Sequence, residues 1–311
     1  MTLKIPPSPP RASGWADRWM QPLAVASLAV NILIVVTGGV VRLTGSGLGC
    51  PTWPRCTDQS FTPHGALGIH GAIEFGNRMV TFLLAAVAIA TLVSAWKLGR
   101  RSVVRLAFVL ALGVPAQAVV GGVTVLTDLN PWVVAFHLLV SMAMIQVAVI
   151  LLRRLREPDG PPVLTVPSPS VWLVRGTFVI GWAVLYLGTV VTGSGPHAGD
   201  VDSPRNGLDP AALSQLHTDF VFLLLGLTIG SLFTLRAVGA PDRATRAAGT
   251  LLGLEIAQGL VGFVQYFTGL PVLVVGLHLL GSALVAAALA WLLVGVRERA
   301  EVSVSVGTPV R

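Results

Sequence analysis

Residues 116–142 read AQAVVGGVTVLTDLNPWVVAFHLLVSM, and residues 257–283 follow the same pattern as AQGLVGFVQYFTGLPVLVVGLHLLGSA. Each stretch carries a glutamine and, at the same interval after it, a histidine: Gln117 with His137, and Gln258 with His278. Self-similarity of this kind is typical of a duplicated chain. Each stretch is apolar around one short polar turn, which predicts two helices that cross a membrane in opposite directions.

The duplication extends toward the N-terminus of each stretch. The segment VVRLTGSG at 40–47 corresponds to VVTGSG at 190–195. Between these anchors, NRMVTFLLA from Asn77 aligns with HTDFVFLLL from His217. The sequence therefore predicts two halves of the same orientation, which is a parallel tandem repeat.

Composition indicates the environment of the chain. Hydrophobic residues make up 53% of it, charged residues 11%, and the mean hydropathy is +0.77. A soluble globule of this composition would lack the polar surface to cover itself, so we predict an integral membrane protein. The apolar runs are continuous rather than alternating, which favours helices over a β-barrel. Runs long enough to span a bilayer lie at 22–43, 71–96, 103–126, 131–152, 170–192, 213–236, 247–267 and 272–296.

The predicted fold is therefore all-α, with eight transmembrane helices in two pseudo-symmetric four-helix bundles. No small-residue cleavage site follows the first span, so we interpret it as a retained helix and not a signal peptide. The expected segments are a cytoplasmic N-terminal segment at 1–21, an N-terminal half at 22–152, a cytoplasmic linker at 153–169, a C-terminal half at 170–296 and a cytoplasmic tail at 297–311.

The distribution of cations predicts the orientation, because cytoplasmic loops carry an excess of Lys and Arg. If the N-terminus is cytoplasmic, all 21 Lys and Arg residues lie on that side except Arg42, Arg55, Arg78 and Arg205. We expect a multi-pass protein of the cell membrane with both termini cytoplasmic and the histidines and cysteines toward the extracellular side. The net charge of +7 then reflects topology and contact with anionic lipid, so no nucleic acid partner is expected.

Three histidines lie at one predicted depth in the bundle, a few residues inside the outer ends of their spans: His137, His217 and His278. A single histidine on an apolar helix is usually a hydrogen-bonded core residue. A pair on the second and fourth spans of one half is different, because four-helix bundles hold heme between two such imidazoles. We therefore predict that His217 and His278 ligate a heme iron. A zinc or copper site would require further ligands at that level.

The N-terminal half departs from this pattern. It has His137, but Asn77 stands where the partner histidine would be. Asparagine is a poor iron ligand, and His70 lies two helical turns away from Asn77. A heme in this half would therefore have one strong ligand and one open face, which is the arrangement that chemistry at iron requires.

Glu74 and Arg78 flank Asn77 on roughly one helix face, and two interpretations stay open. They could form an ion pair that caps the span. Alternatively, Glu74 could line the open heme face and handle protons or water, because ionisable groups in membranes are often functional. Arg78 could then meet a heme propionate, since its forked donors suit a carboxylate.

The chain has two cysteines, Cys50 and Cys56, and both lie in the loop LTGSGLGCPTWPRC that is predicted to be extracellular. Thiols outside the cell tend to oxidise. The pair could form a structural disulfide or act as a reversible redox pair.

Several motifs together resemble the heme A synthase family. These motifs are GGVVRLTGSGLGCPTWPRC, IEFGNR, VVAFHLLVSM, LHTDF and GLHLLGSA, and the resemblance covers all eight predicted spans and both halves. The resemblance implies oxidation of the C8 methyl group of heme O to a formyl group, by successive hydroxylations and loss of water.

The resemblance also assigns residues. It implies a heme b cofactor on His217 and His278, and a substrate heme in the N-terminal half near His137, Asn77 and Arg78, with Glu74 as the reactive group. Where the family usually has Glu-x-x-His-Arg, this chain has Glu74 to Arg78 with asparagine at the histidine position. Cys50 and Cys56 match the family's cysteine pair.

The expected partners are heme O, the heme O synthase that supplies it, an electron donor such as a ferredoxin, the lipid bilayer and further copies of the chain. The alternative function is electron transfer by a bis-His heme b membrane protein, which would favour two histidine ligands in each half. Asn77 argues for a substrate site instead. A transporter built from repeats would place polar residues at the membrane midplane. Apart from Glu255, the polar groups of the predicted spans lie near the outer face, which argues against a transporter.

Overall fold

The structure is a computed structural model and describes residues 14–300 of the chain. Eight long helices account for most of it, and each is long and apolar enough to cross a membrane. All eight predicted spans are confirmed. The helices are α1 (Trp15–Leu43), α2 (Gly68–Leu98), α3 (Arg101–Leu126), α4 (Pro131–Leu155), α5 (Ser168–Ser194), α6 (Pro210–Ala237), α7 (Asp242–Phe267) and α8 (Val272–Gly295).

Most helices run beyond the apolar windows that predicted them, because helical hydrogen bonding continues into polar flanks. Helix α1, for example, begins at Trp15 rather than at 22. The predicted N-terminal segment and tail lie partly outside the described residues, as do Lys4, Arg11 and Arg311.

Local sequence signals set several helix ends. Asn130 accepts a hydrogen bond from the Trp132 amide at the start of α4, and Asp209 caps α6 in the same way. Each cap is followed by a proline at the first helical position, where the missing N–H of proline is harmless. Helix α2 ends at Gly99, which adopts the left-handed conformation that favours glycine.

The contacts between helices form a ring of four in each half of the chain. In the N-terminal half, α1 contacts α2, α2 contacts α3, α3 contacts α4, and α4 returns to α1. The C-terminal half repeats this ring with α5, α6, α7 and α8. The halves meet through α1 and α4 on one side and α5 and α8 on the other. This pattern supports two four-helix bundles, while their pseudo-symmetry stays a prediction.

The seam between the halves is mostly apolar, with one polar tie. Its core includes Met142 and Ile145 of α4 with Leu185 of α5. Gln146 donates to the backbone carbonyl of Ala286 at 3.2 Å and accepts a hydrogen bond from the Trp182 indole. Interhelical hydrogen bonds of this kind are effective in a membrane because water does not compete for them.

Loops at 44–67 and 195–209 lie at one end of the bundle, here called the disulfide end. At the opposite end, here called the linker end, a feature appears that the sequence did not predict. Strand β1 (Pro162–Leu164) of the linker pairs antiparallel with β2 (Arg297–Arg299), directly after α8. Arg100 and Arg154 both bind the carboxylate of Asp159 beside this small sheet. The linker is therefore fastened to both halves.

Candidate heme sites

The C-terminal half brings together the two histidines that were predicted to form a pair. His217 on α6 and His278 on α8 are close enough to interact electrostatically. Both side chains are partly buried, and both Nδ1 atoms are buried and make no hydrogen bond of standard geometry among the described residues. A buried imidazole nitrogen without a partner is energetically unfavourable, and its neutral form is a metal ligand. The pair therefore fits axial ligation of a heme iron.

Each of these rings packs against a glycine on a neighbouring helix. A Cβ atom at Gly188 on α5 would lie 3.3 Å from Cε1 of His217, and one at Gly262 on α7 would lie 3.6 Å from Cε1 of His278. The glycines thus permit the close approach of helix and imidazole that sets the ring positions.

The N-terminal half reproduces one of these two arrangements. His137 on α4 packs against Gly121 on α3, where a Cβ atom would lie 3.2 Å from Cε1. Its Nδ1 atom is also buried without a partner among residues 14–300. Gln117 donates to the His137 carbonyl at 3.0 Å, and Gln258 donates to the His278 carbonyl at 2.8 Å. The same tether thus fixes one histidine-bearing helix in each half.

The counterpart of the His217 arrangement is absent at the corresponding position of the N-terminal half, where the residue is Asn77. Asn77 on α2 accepts a hydrogen bond from the Thr37 hydroxyl on α1 at 2.7 Å. Gly38 corresponds to Gly188 in the repeat, but a Cβ atom at Gly38 would meet no described atom within 4 Å. Where the C-terminal half places an imidazole against a glycine, the N-terminal half has a shorter side chain that is tied to α1. His70 instead contacts the Ser46 hydroxyl through Nδ1 at 2.9 Å.

Glu74 and Arg78 form the predicted ion pair, with Nη2 of Arg78 2.6 Å from Oε1 of Glu74. The pair also holds the cysteine loop. The Cys50 amide donates to Oε2 of Glu74 at 2.5 Å, while Arg78 donates to the carbonyls of Cys50, Thr52 and Arg55 at 3.1 Å each. Glu74 is only 5% exposed. The described contacts of both side chains are therefore made within the protein, and their predicted roles toward a heme stay predictions.

Cys50 and Cys56 form a disulfide, and both are buried. Between them, the Trp53 ring lies against α3 at Gly122, where a Cβ atom would be 2.4 Å from the ring. Gly122 follows the glycine that faces His137, so the loop covers the N-terminal site from the disulfide end. A structural disulfide is thus present, and a redox role stays a prediction.

Sequence reasoning missed two side chains at this end. Thr37 does not stand out in an apolar helix. Only the repeat distinguishes it, because the corresponding residue of the C-terminal half is Leu187. Arg42 was used for topology alone, but it reaches from α1 to the Thr192 carbonyl on α5 at 2.9 Å. Glu255, which had no predicted role, is buried on α7 and accepts a hydrogen bond from Thr228 at 2.8 Å.

Comparison with known proteins identifies related sequences. The family model of COX15-CtaA, described as cytochrome oxidase assembly protein, matches residues 21–67 and 67–199. A protein of Halalkalibacterium halodurans named heme A synthase is 27% identical over 259 residues, covering 79% of this chain and 84% of its own length.

Other proteins of the same name give shorter matches. The one from Lysinibacillus sphaericus is 28% identical over 56% of this chain and 58% of its own length. The one from Alkalihalophilus pseudofirmus is 30% identical over 54% of this chain and 57% of its own length. Eight apolar helices and this relationship indicate a multi-pass membrane protein. Because the family match covers more than half of the sequence, the chain belongs to the COX15-CtaA family of cytochrome oxidase assembly proteins.

Proposed function

We propose that this chain is a heme A synthase that oxidises the C8 methyl group of heme O to a formyl group. Each of two hydroxylations replaces a C–H bond by C–OH with one oxygen atom of dioxygen, while the other oxygen atom takes two electrons from the electron donor and two protons and leaves as water. Loss of water from the resulting geminal diol leaves the aldehyde. The relatives that cover most or about half of this chain carry that name. The structural observation that supports the proposal is the difference between the halves, with two imidazoles in one and an imidazole and an amide in the other.

In this proposal, His217 and His278 hold a heme b cofactor in the C-terminal half. A heme held by these two imidazoles would supply single-electron transfer. The protein contributes two neutral imidazoles that are held in place by the packing on Gly188 and Gly262. Bis-His ligation suits the delivery of electrons to the other half. These electrons would come from an external donor such as a ferredoxin.

The N-terminal half would receive heme O as the substrate. His137 offers one imidazole, and its helix is fixed by Gln117. Asn77 cannot replace the second imidazole, so one face of the substrate stays free for the reaction. Glu74 is proposed as the reactive group that moves a proton or orients water there. Arg78 anchors it, and the disulfide loop limits the access of bulk water to the site.

The same proposal includes an orientation. Both termini would be cytoplasmic and the disulfide end extracellular, because the cations concentrate at the linker end. Heme O would come from a heme O synthase in the same membrane. A homo-oligomer in the same membrane is also part of the proposal.

Product analysis tests the activity. The protein is expressed in cells that are supplied with heme O, and the extracted pigments are identified by mass. We expect hydroxylated heme O and heme A. A purified protein that retains heme b and a bound donor but never yields either product would contradict the enzyme proposal and favour the electron-transfer alternative.

Spectroscopy tests the ligand assignment separately. His217→Ala and His278→Ala should each abolish the low-spin bis-His spectrum, because either change removes one axial imidazole. His64→Ala, which removes an exposed histidine of the loop, is the matched control and should retain the spectrum. Retention in either ligand variant would show that another residue binds the iron.

A further inference from the structure

The positive charge of Arg42 is not neutralised by any carboxylate among the described residues. It lies in the last turn of α1 and donates from Nη2 to the Thr192 carbonyl at 2.9 Å. Its Nε atom is buried and has no hydrogen-bond acceptor, and no carboxylate among residues 14–300 forms an ion pair with it. The positive charge of Arg205 is close enough to repel that of Arg42, and no described carboxylate forms an ion pair with either arginine.

Such an arrangement is unfavourable in the protein alone. Cations within membrane-spanning segments are usually paired or directed to a functional site, and a buried donor without an acceptor is destabilising. Arg78, by contrast, is fully engaged by Glu74 and three carbonyls. Of the two arginines near the N-terminal site, Arg42 therefore has the unused donor capacity.

The position of Arg42 relates it to both heme sites. It lies one turn beyond Gly38 on α1, while its acceptor Thr192 lies one turn beyond Gly188 on α5, and Gly188 faces the His217 ring. In each case the interval of four residues spans about 6 Å along the helix axis. The guanidinium is thus at the seam between the halves, one turn closer to the disulfide end than the level of the axial ligands.

The repeat does not explain Arg42. In the alignment of VVRLTGSG with VVTGSG, Arg42 and Leu43 have no counterpart in the C-terminal half. Arg205 approaches from the loop before α6, where it is held by the carbonyls of Ser203 and Pro196. The charge pair is therefore built from one element of each half.

We propose that Arg42, assisted by Arg205, is a carboxylate-binding site at the seam that receives a heme propionate. A heme carries two propionates on one edge, and a planar guanidinium binds a carboxylate through paired charge-assisted hydrogen bonds. The anion would satisfy Nε and relieve the repulsion between the two arginines. The inference rests on the proposed heme sites, and the propionate can belong to heme b or to the substrate heme.

The test compares hemin with hemin dimethyl ester, in which both carboxylates are blocked. The full chain is purified from heme-deficient cells in detergent and titrated with each compound. We expect the wild type to bind hemin at least about tenfold more tightly than the ester, since a charged hydrogen bond contributes about 1.5–3 kcal/mol. In Arg42→Gln most of this preference should be lost. If the preference for hemin is lost when binding is followed by the low-spin bis-His signal, the propionate belongs to heme b. If it is lost when binding is followed by the remaining heme signal, the propionate belongs to the substrate heme.

A matched variant and a stability measurement separate this role from a structural one. Arg175→Gln removes an exposed arginine that stacks on Trp172 at the linker end, and it should leave the preference for hemin unchanged. Without heme, Arg42→Gln should unfold at a temperature no lower than that of the wild type, because it removes an unneutralised cation. An unchanged preference for hemin in Arg42→Gln would overturn the proposal. If the unfolding temperature of this variant were also lowered, Arg42 would instead have a structural role in joining α1 to α5. A preference that depends on Arg42 in a protein that makes no heme A would refute only the proposed activity.

Discussion

Replacing Glu74 by alanine should destabilise the protein and release the disulfide loop. The carboxylate accepts hydrogen bonds from the Cys50 amide at 2.5 Å and from Nη2 and Nε of Arg78 at 2.6 and 3.2 Å. Breaking a buried ion pair by removing one partner costs about 3–5 kcal/mol, because the other charge stays buried. Arg78 keeps three carbonyl acceptors and its side chain is 19% exposed. We therefore expect a loss near the lower limit, about 3 kcal/mol.

Thermal unfolding of the purified protein in detergent measures this loss, and limited proteolysis reports on the loop. We expect a fall in unfolding temperature on the order of 5 °C or more and new cleavage within residues 44–67. Arg246→Ala is the control, because it breaks an ion pair of the same helical spacing whose side chains are 74% and 89% exposed. Exposed pairs of this kind contribute roughly 0.5 kcal/mol or less. If Glu74→Ala shifts the unfolding temperature no more than the control does, the contacts of Glu74 do not hold the loop.

A second substitution distinguishes the anchoring role of Glu74 from the proposed chemical role. In Glu74→Gln the amide oxygen can still accept from Cys50, so the loop should stay protected from protease. The amide cannot take up a proton, so we expect heme b to be retained and product formation to fall at least about a hundredfold, the lower limit for general acid–base catalysis. Product formation at the wild-type rate would mean that Glu74 serves only as an anchor.

Two further predictions concern the two ends of the bundle. Gly122→Ala should displace the loop, because the added Cβ atom would lie 2.4 Å from the Trp53 ring; proteolysis of the loop should increase, whereas Gly253→Ala, in open space on α7, should be neutral or stabilising by about 0.5–1 kcal/mol. At the linker end, a hydrogen bond from Arg100 lowers the pKa of Asp159, so its stabilising contribution is present above the carboxyl's unfolded-state pKa and is lost as the pH falls through the lowered value. Asp159→Asn should therefore flatten the acid side of the unfolding temperature plotted against pH, and an unchanged profile would contradict this assignment.

Hydropathy predicted the helices well because the membrane simplifies the problem. A spanning segment must satisfy its own backbone hydrogen bonds, so a long apolar run in a bilayer is a helix. The end of each helix follows other rules. Helix α1 continues to Trp15 because polar residues outside the apolar window can still be helical. The strand pair at the linker end joins segments of only three residues each, which carry no recognisable alternation.

Comparison of the repeats predicted that His217 and His278 lie close together, because a match at one depth in both halves is a strong constraint, while their role as heme ligands stays a prediction. The contacts of charged side chains were not predictable in this way. Whether Glu74 faces a heme or a loop depends on where residues 44–67 fold back, and that is a property of the tertiary structure. The free donor of Arg42 also appears only when all neighbouring acceptors are known.

The difference between the halves involves two positions that contact each other. In the C-terminal half, His217 and Leu187 occupy the places that Asn77 and Thr37 occupy in the N-terminal half. Asparagine is too short to reach the glycine of α1 as an imidazole does, and a polar amide in an apolar bundle requires a partner. The Thr37 hydroxyl supplies that partner at 2.7 Å. Since leucine could not form this hydrogen bond, the two differences form one physical unit that holds Asn77 against α1 and keeps the space beside Gly38 open.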